Sequence, residues 1–284
     1  MCVGPFTHPT RGPLKCGQCV ECRLAYSREW AIRMMHELHY YEHACMATLT
    51  YDDAHLPDHG QLLKSDVQKF LKRLRKNTGA FRYVASGEYG ELNRRPHFHL
   101  ALFGLDFHLD RIRSGESING DPCFISTELS RSWQLGHHEI GTLNFESCAY
   151  ITRYIMKKLK GPNVSPVPLA CDPVSGELIM PNPEFMLMSK GIGKRWFRDF
   201  FMSDVYPHAS VVTAQGSKAP VPRYYKELLK EVGTDMAFDM SARTMMRMGD
   251  KYDVMMAENV PARRLARGAV LKSRTGVFKR ELKG

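Results

Sequence analysis

Apolar residues in the first third of the chain alternate between helical and strand-like spacing. Residues 23–43 and 65–77 repeat apolar side chains at helical intervals, the second set behind Ser65 and Gln68, which have the form of a capping box. Short runs rich in threonine and apolar residues predict strands at 45–51, 81–88 and 97–103. Because turn-forming residues separate the last two strands, we expect them to pair as a hairpin.

The same mixture of helices and strands continues along the chain. Residues 128–135 predict a short helix, residues 139–145 a strand and residues 147–159 a further helix. The order αβαββαβα suits a central antiparallel sheet with flanking helices, so we predict the α+β class. Beyond it we expect a mostly helical C-terminal extension, with helices at 194–202, 223–231 and 235–256.

Six prolines between Pro162 and Pro183 indicate a long irregular segment and the clearest boundary in the sequence. We therefore divide the chain into four parts. These are a cysteine-rich leader, an α+β core, a proline-rich insertion with a GIGKRW segment, and a helical region with a basic tail, at residues 1–22, 23–161, 162–204 and 205–284.

The charge of the chain favours a polyanionic partner. Its formal net charge is +10 and its pI about 9.2. Much of the excess lies in residues 261–284, where eight lysines and arginines stand against one glutamate. Such a tail is typical of a flexible arm on a phosphate backbone, and a solubilising terminus is the alternative.

Hydropathy predicts an intracellular protein with no membrane partner. The first residues contain no apolar stretch of the signal-peptide type, and no run approaches the length of a membrane span. In a reducing compartment the eight cysteines favour thiols or a metal site over disulfides. Cys16, Cys19 and Cys22 are spaced two residues apart, and Cys2 could complete a tetrahedral Zn²⁺ site, with free thiols as the alternative.

A pair of histidines on a predicted strand is the first feature that indicates chemistry. His97 and His99 project to the same face of their strand, while Phe98 between them points into the core. Two imidazoles leave coordination positions open on a divalent ion, and a carboxylate from a neighbouring strand would complete a catalytic site. Glu88 is our candidate for that ligand and Glu91 is its competitor.

Two tyrosines on a predicted helix supply a candidate nucleophile. Tyr150 and Tyr154 stand four residues apart, which places both phenols on one helix face, with Lys157 three residues beyond. A phenol with an ordinary pKa of about 10 needs a nearby cation or base, and a metal ion to polarise its target phosphate. The alternative is an amphipathic helix whose tyrosines simply pack.

The segments MATLTY, GEYGELNRRPHFH, YITRYIMKK and KGIGKRWF occur together in one order. In this combination, over roughly residues 14 to 204, the chain resembles the HUH endonucleases, and more closely the replication initiators of gokushovirus-type microviruses. The resemblance implies an HUH/RRM-like sheet and an Mg²⁺ or Mn²⁺ ion bound by His97 and His99. It also implies that Tyr150 and Tyr154 nick single-stranded DNA at a replication origin, form a 5′-phosphotyrosine link and later close the displaced strand into a circle.

The resemblance also sets the partners that we expect. KGIGKRW lacks the first glycine of a P-loop and has Arg195 where serine or threonine would hold magnesium, so a host helicase must unwind the DNA. The free 3′-hydroxyl would prime a host DNA polymerase in the cytoplasm of a bacterial host. The alternative function is a non-catalytic, zinc-containing DNA-binding protein whose basic helices grip the backbone.

Overall fold

The computed structural model describes the chain in eight stretches, residues 2–10, 12–90, 93–117, 120–158, 168–171, 175–213, 216–257 and 259–276. Contact clustering divides it into two compact units, Leu38–Lys190 and a second formed by Met1–Glu37 with Gly191–Gly284. The four-part division expected from the sequence stays a prediction. Among the described residues, every helix is too short or too polar to span a lipid bilayer.

The strands of the described residues, in chain order, are β1 Phe6–His8, β2 Gly12–Leu14, β3 Ala44–Tyr51, β4 Arg82–Tyr89, β5 Pro96–Phe103, β6 Arg111–Glu116, β7 Pro122–Ser126, β8 Gly136–Gly141, β9 Ala170–Cys171, β10 Leu178–Ile179, β11 Phe185–Met188, β12 Val211–Val212 and β13 Lys218–Ala219. The α-helices are α1 Val20–Leu38, α2 Lys64–Thr78, α3 Thr127–Ser132, α4 Phe145–Lys158, α5 Lys194–Phe200, α6 Arg223–Val232, α7 Thr234–Ala257 and α8 Pro261–Gly276.

An antiparallel sheet of seven strands organises the unit Leu38–Lys190, in the order β11-β4-β5-β3-β8-β7-β6. The predicted α+β class, the β4–β5 hairpin and the helical C-terminal region with α5, α6 and α7 are confirmed. The predicted strand 139–145 lies earlier than expected, because β8 ends at Gly141 and α4 begins at Phe145.

The core lies on one face of this sheet, under α2. β3 alternates strictly, with every second side chain buried, as a strand that faces the core on one side must. Its buried side chains pack with Trp133 and with the apolar stripe of α2, which consists of Val67, Phe70, Leu71 and Leu74. On the opposite face, α4 contacts β4, β5 and β11.

In the other unit, α1 packs against the segment that leads into α5 and against α6. The His36 ring stacks on Trp196 with centroids 3.4 Å apart, and its Nδ1 lies 2.9 Å from the Tyr225 hydroxyl. The Glu37 carboxylate accepts a hydrogen bond from the backbone N–H of Gly193 at 2.7 Å. These buried polar contacts tie segments that are far apart in sequence.

The sequence pattern does not predict β6, β7 and β11. β6 is exposed along its whole length, so it lacks the apolar alternation that indicates a strand. β11 lies in the proline-rich segment and pairs with β4, where Phe185 stands opposite Gly87. A side chain at Gly87 would collide with the Phe185 ring, because a Cβ there would lie 2.7 Å from Cζ.

Two local predictions were wrong. Ser65 is not the N-cap of α2: that position is Leu63, which makes no side-chain capping bond, and the chain is fixed there by the hydrogen bond from Leu62 N–H to the Tyr89 hydroxyl at 3.0 Å. The basic tail is not a flexible arm over its described part, because residues 261–276 form α8, with Pro261 at its first position.

We expect Gly136→Ala to lower the free energy of unfolding by about 2 to 3 kcal/mol, because the new Cβ would overlap the backbone of Asp52 and Thr50 where β8 meets β3. The backbone of Gly136, with φ +148°, adds strain for any residue with a side chain. Urea denaturation measures the difference. Gly141→Ala is the matched control in the same strand, since nothing lies within 4 Å of its Cβ position. Equal stabilities of the two variants would contradict the described β3–β8 contact.

Candidate active site

Polar side chains from three adjacent strands meet on the face of the sheet opposite the α2 core. The strand register places Glu88 of β4 opposite His97 of β5, and Thr48 of β3 opposite His99. Residues two apart on a strand share a face, so both histidines lie beside Glu88 and Thr48. Phe98 between them is fully buried in the core on the other side.

Glu88, His97 and His99 form a compact cluster of candidate metal ligands. Glu88 Oε1 lies 3.2 Å from Nε2 of His97 and 3.0 Å from Nε2 of His99. One ligand atom from each residue falls within 4.8 Å of the other two. All three side chains are buried, with residue exposures of 2%, 7% and 1%, so each must be matched to a polar partner.

The outer nitrogen of each ring is held by an oxygen. Nδ1 of His97 lies 3.1 Å from the Arg95 carbonyl, and Nδ1 of His99 lies 3.0 Å from the Thr48 hydroxyl. A carbonyl can only accept, so Nδ1 of His97 carries the proton, and Thr48 can accept from His99 in the same way. A neutral ring then offers its lone pair from Nε2, which is the arrangement found around metal-ligating histidines.

The donor set fits a divalent cation. Oε2 of Glu88 is buried and has no hydrogen-bond partner within the described part of the chain. A buried carboxylate oxygen of this kind costs free energy unless a cation or a donor satisfies it. Two imidazoles and one carboxylate are ligands that Mn²⁺ accepts, and they leave positions open for a substrate.

Burial and hydrogen bonding set the protonation of the cluster. Burial opposes ionisation of Glu88, but hydrogen bonds from His97 and His99 outweigh it and hold the pKa of the carboxyl at about 2. Burial also opposes protonation of His97, yet the hydrogen bond and charge of Glu88 raise its pKa. At His99 burial dominates and lowers the pKa. Glu88 is therefore ionised and His99 neutral at physiological pH, the forms in which they bind a metal.

Helix α4 brings Tyr150 to this cluster. Asn144 and Ser147 cap the helix reciprocally, since each backbone N–H donates to the other side chain at 2.8 Å. Cys148 and Ile151 are fully buried, and the helix packs against β4 and β5. The Tyr150 ring lies edge-on to His99, with centroids 4.9 Å apart and an angle of 81° between the planes. A phenol thus stands beside a candidate metal ligand.

Three of the predicted site residues cannot be placed with the others. Tyr154 and Lys157 lie within α4, but their side chains are outside the described residues. Glu91, the competing third ligand, falls in the undescribed pair 91–92. The roles of Tyr154 and Lys157 therefore stay predictions from helical spacing.

β8 extends the polar face with residues to which the sequence pattern gives no role. Glu139 lies opposite Thr48 and His137 opposite Thr50, and both side chains are exposed. Their exposure marks the side on which the face is open to solvent. Local alternation in β8 was the only available signal, and it does not say which strand lies beside β3.

Two other clusters of candidate ligands are present. The Sγ atoms of the predicted zinc ligands, Cys2, Cys16, Cys19 and Cys22, all lie within 4.8 Å of one another. His43, Asp106 and His108 meet at the opposite end of β3 and β5. There Nη1 of Arg111 lies 3.3 Å from Asp106 Oδ2, so a protein cation already neutralises that carboxylate and we assign no metal to it.

Comparison with known proteins identifies the class as phage replication proteins. The profile of a family described as Replication-associated protein ORF2 matches residues 44–159, the stretch that contains Glu88, both histidines and α4. Replication-associated protein ORF2 of Spiroplasma virus 4 is 33% identical over 78% of this chain and 68% of its own length. The chain therefore belongs to this family of replication-associated proteins.

Other relatives agree with that assignment. Replication-associated protein VP4 of Bdellovibrio phage phiMH2K is 29% identical over 82% of this chain and 72% of its own length. Replication-associated protein ORF4 of Chlamydia phage 1 is 26% identical over 83% of this chain and 58% of its own. No solved structure matches the chain. The resemblance to microvirus replication proteins, first indicated by four short motifs, is confirmed.

We expect Thr48→Val to weaken Mn²⁺ binding by about 10- to 100-fold, because the His99 ring loses the oxygen that orients it. Isothermal titration of the purified protein with MnCl₂ measures the affinity. Thr50→Val is the control on the same strand and face, since in the described residues the Thr50 hydroxyl bonds to neither histidine. Unchanged affinity in Thr48→Val, or an equal loss in both variants, would refute a positioning role for Thr48.

Proposed function

We propose that the protein initiates rolling-circle replication by nicking single-stranded DNA with a tyrosine. The observation that carries this proposal is the Tyr150 ring beside His99, in a cluster that also contains His97 and Glu88. Membership of the replication-associated protein family and the net charge of +10 support DNA as the substrate. The proposed substrate is single-stranded DNA at a replication origin.

In the proposed first step, the Tyr150 phenolate oxygen attacks the scissile phosphorus. A bond forms between that oxygen and phosphorus, and the bond from phosphorus to the 3′-oxygen breaks. The departing oxygen takes a proton and becomes a free 3′-hydroxyl, while the 5′-phosphate stays on tyrosine. The phosphodiester is exchanged for another ester, so the energy of the link is conserved for later joining.

The surroundings of the phenol must favour its ionised form, since its ordinary pKa of about 10 leaves little phenolate at neutral pH. Helical spacing puts Lys157 on the same face as the tyrosines, where its ammonium group would stabilise the phenolate. Glu88, His97 and His99 are the residues that would hold Mg²⁺ or Mn²⁺. The chemistry supplied by such a bound ion is Lewis acidity, which polarises the phosphate and stabilises the charge that develops in the reaction.

A second tyrosine makes the cycle repeatable. Tyr154 stands one helical turn from Tyr150 and, in the proposed cycle, cuts the origin that replication regenerates. The new 3′-hydroxyl then attacks the first phosphotyrosine, the bond from phosphorus to the phenolic oxygen breaks, and the displaced strand closes into a circle. No ATP is consumed in the joining step. We propose that a host helicase and a host DNA polymerase act with the protein in the cytoplasm of the bacterial host.

The proposal is tested by incubating the protein with labelled single-stranded fragments that tile the genome encoding it, in the presence of MnCl₂, followed by a denaturing gel. We expect a covalent protein–DNA adduct and a shortened strand. The adduct should disappear in the Tyr150→Phe, Tyr154→Phe double variant, which removes both nucleophiles. His97→Ala should lower its rate of formation by more than about 100-fold, because a ligand matters more than the groups that orient it.

Tyr26→Phe is the matched control, since Tyr26 is an exposed residue of α1 outside the site. It should form the adduct at the wild-type rate. Binding of one fragment without cleavage or adduct, in protein that is folded and loaded with Mn²⁺, would refute the nuclease. The non-catalytic, zinc-containing DNA-binding protein would then be the better description.

A further inference from the structure

Four cysteine sulfurs converge at the N-terminal end of the unit Met1–Glu37 with Gly191–Gly284. Cys2 precedes β1, Cys16 and Cys19 belong to the turn after β2, and Cys22 lies in the first turn of α1. Cys2 Sγ is 3.4 Å from Cys16 Sγ and 3.8 Å from Cys19 Sγ. A tetrahedral Zn²⁺ ion with Zn–S bonds of about 2.3 Å requires sulfurs about 3.8 Å apart. The cluster is therefore close to the geometry of a four-thiolate site.

The backbone around the cluster is arranged to stabilise negative charge on sulfur. Cys16 Sγ accepts hydrogen bonds from the N–H groups of Gln18 at 3.4 Å and Cys19 at 3.3 Å, and Cys2 Sγ accepts from Cys16 N–H at 3.2 Å. Gly17, with φ +74°, supplies the left-handed turn that points these N–H groups at the sulfur. Hydrogen bonds to the charged form favour thiolates over thiols.

The N-terminal segment has little else to hold it. Among the described side chains of residues 2–19, Cys2 is the only one that is buried. A short hairpin without an apolar core is not stable by itself in water and needs a cross-link or a metal. All four cysteines are free, so no disulfide supplies that link.

We propose that Cys2, Cys16, Cys19 and Cys22 bind one structural Zn²⁺ ion that fixes the N-terminal segment to the start of α1. Four protein ligands close the coordination shell, so the site has a structural rather than a catalytic role. It is separate from the Glu88, His97 and His99 cluster in residues and in ligand type. Thiolate ligands select zinc, whereas carboxylate and imidazole ligands suit Mn²⁺.

The C-terminal helix α8 depends on this segment for its packing. Gly268 is buried against Val3, where a Cβ would lie 2.9 Å from the valine Cγ2. Arg267 Nε lies 3.8 Å from Oε1 of Glu21, a residue between two of the cysteines. The ion would thus hold the surface on which the basic helix α8 rests, and its removal should expose the arginines of α8 to trypsin.

Metal analysis of the full chain purified under reducing conditions tests the site, with protein expressed in zinc-supplemented medium. We expect one zinc ion per chain, retained in a His97→Ala, His99→Ala variant and lost in a Cys16→Ser, Cys19→Ser variant. Cys171→Ser is the control, because Cys171 is exposed and outside the cluster. Retention in the histidine variant separates this site from the proposed nuclease centre, whatever the outcome for nicking.

A second measurement does not depend on whether the cysteine variants fold. In wild-type protein, a mercurial reagent should release zinc in step with the modification of four thiols, and Co²⁺ substitution should give the absorption of a tetrahedral thiolate complex. Tryptic cleavage within α8 should accelerate when zinc is removed. The proposal is wrong if the purified chain contains no zinc and its four thiols react freely, if the metal is iron, or if zinc is lost from the histidine variant instead.

Discussion

The hydrogen-bond register between β4, β5 and β3 is the constraint on which the candidate active site depends. It sets Glu88 against His97 and Thr48 against His99, so that a carboxylate, two imidazoles and an orienting hydroxyl share one face. A slip of one residue in β5 would turn both histidines into the core and Phe98 out of it. The alternation that buries Phe98 under α2 therefore also fixes the chemistry on the other side of the sheet, and packing and function are specified by the same pairing.

The site is costly to build, which indicates why it is so closely surrounded. A buried carboxylate and two imidazoles lose several kcal/mol of hydration and persist only when every polar atom is matched. Glu88 Oε1 meets both Nε2 atoms, and an oxygen holds each Nδ1, but Glu88 Oε2 has no hydrogen-bond partner in the described residues. A divalent cation would satisfy that atom. Tyr150 lies at the same place because α4 is capped at Asn144 and anchored on β4 and β5 by its buried face.

Local patterns in the sequence predict the parts of the site but not their assembly. Alternation on one strand predicts that His97 and His99 share a face, and helical spacing puts Tyr150 and Tyr154 on one side of a helix, since both arguments need only a few neighbouring residues. The contact between Thr48 and His99 depends on which strands are neighbours, a non-local fact that no short window contains. The same holds for the helical start of the basic tail at Pro261, because α8 is stabilised by packing against a segment at the other end of the chain.

The most direct test of the account identifies the atom that joins protein to DNA. After reaction with single-stranded DNA and Mn²⁺, the adduct is digested with nuclease and trypsin and analysed by tandem mass spectrometry. Cleavage after Arg153 separates Tyr150, in the peptide 132–153, from Tyr154, in the peptide 154–157. The account predicts a nucleotide 5′-phosphate on the phenolic oxygen of one or both tyrosines. A nucleotide on any other residue, or cleavage that leaves no link to either peptide, would contradict it.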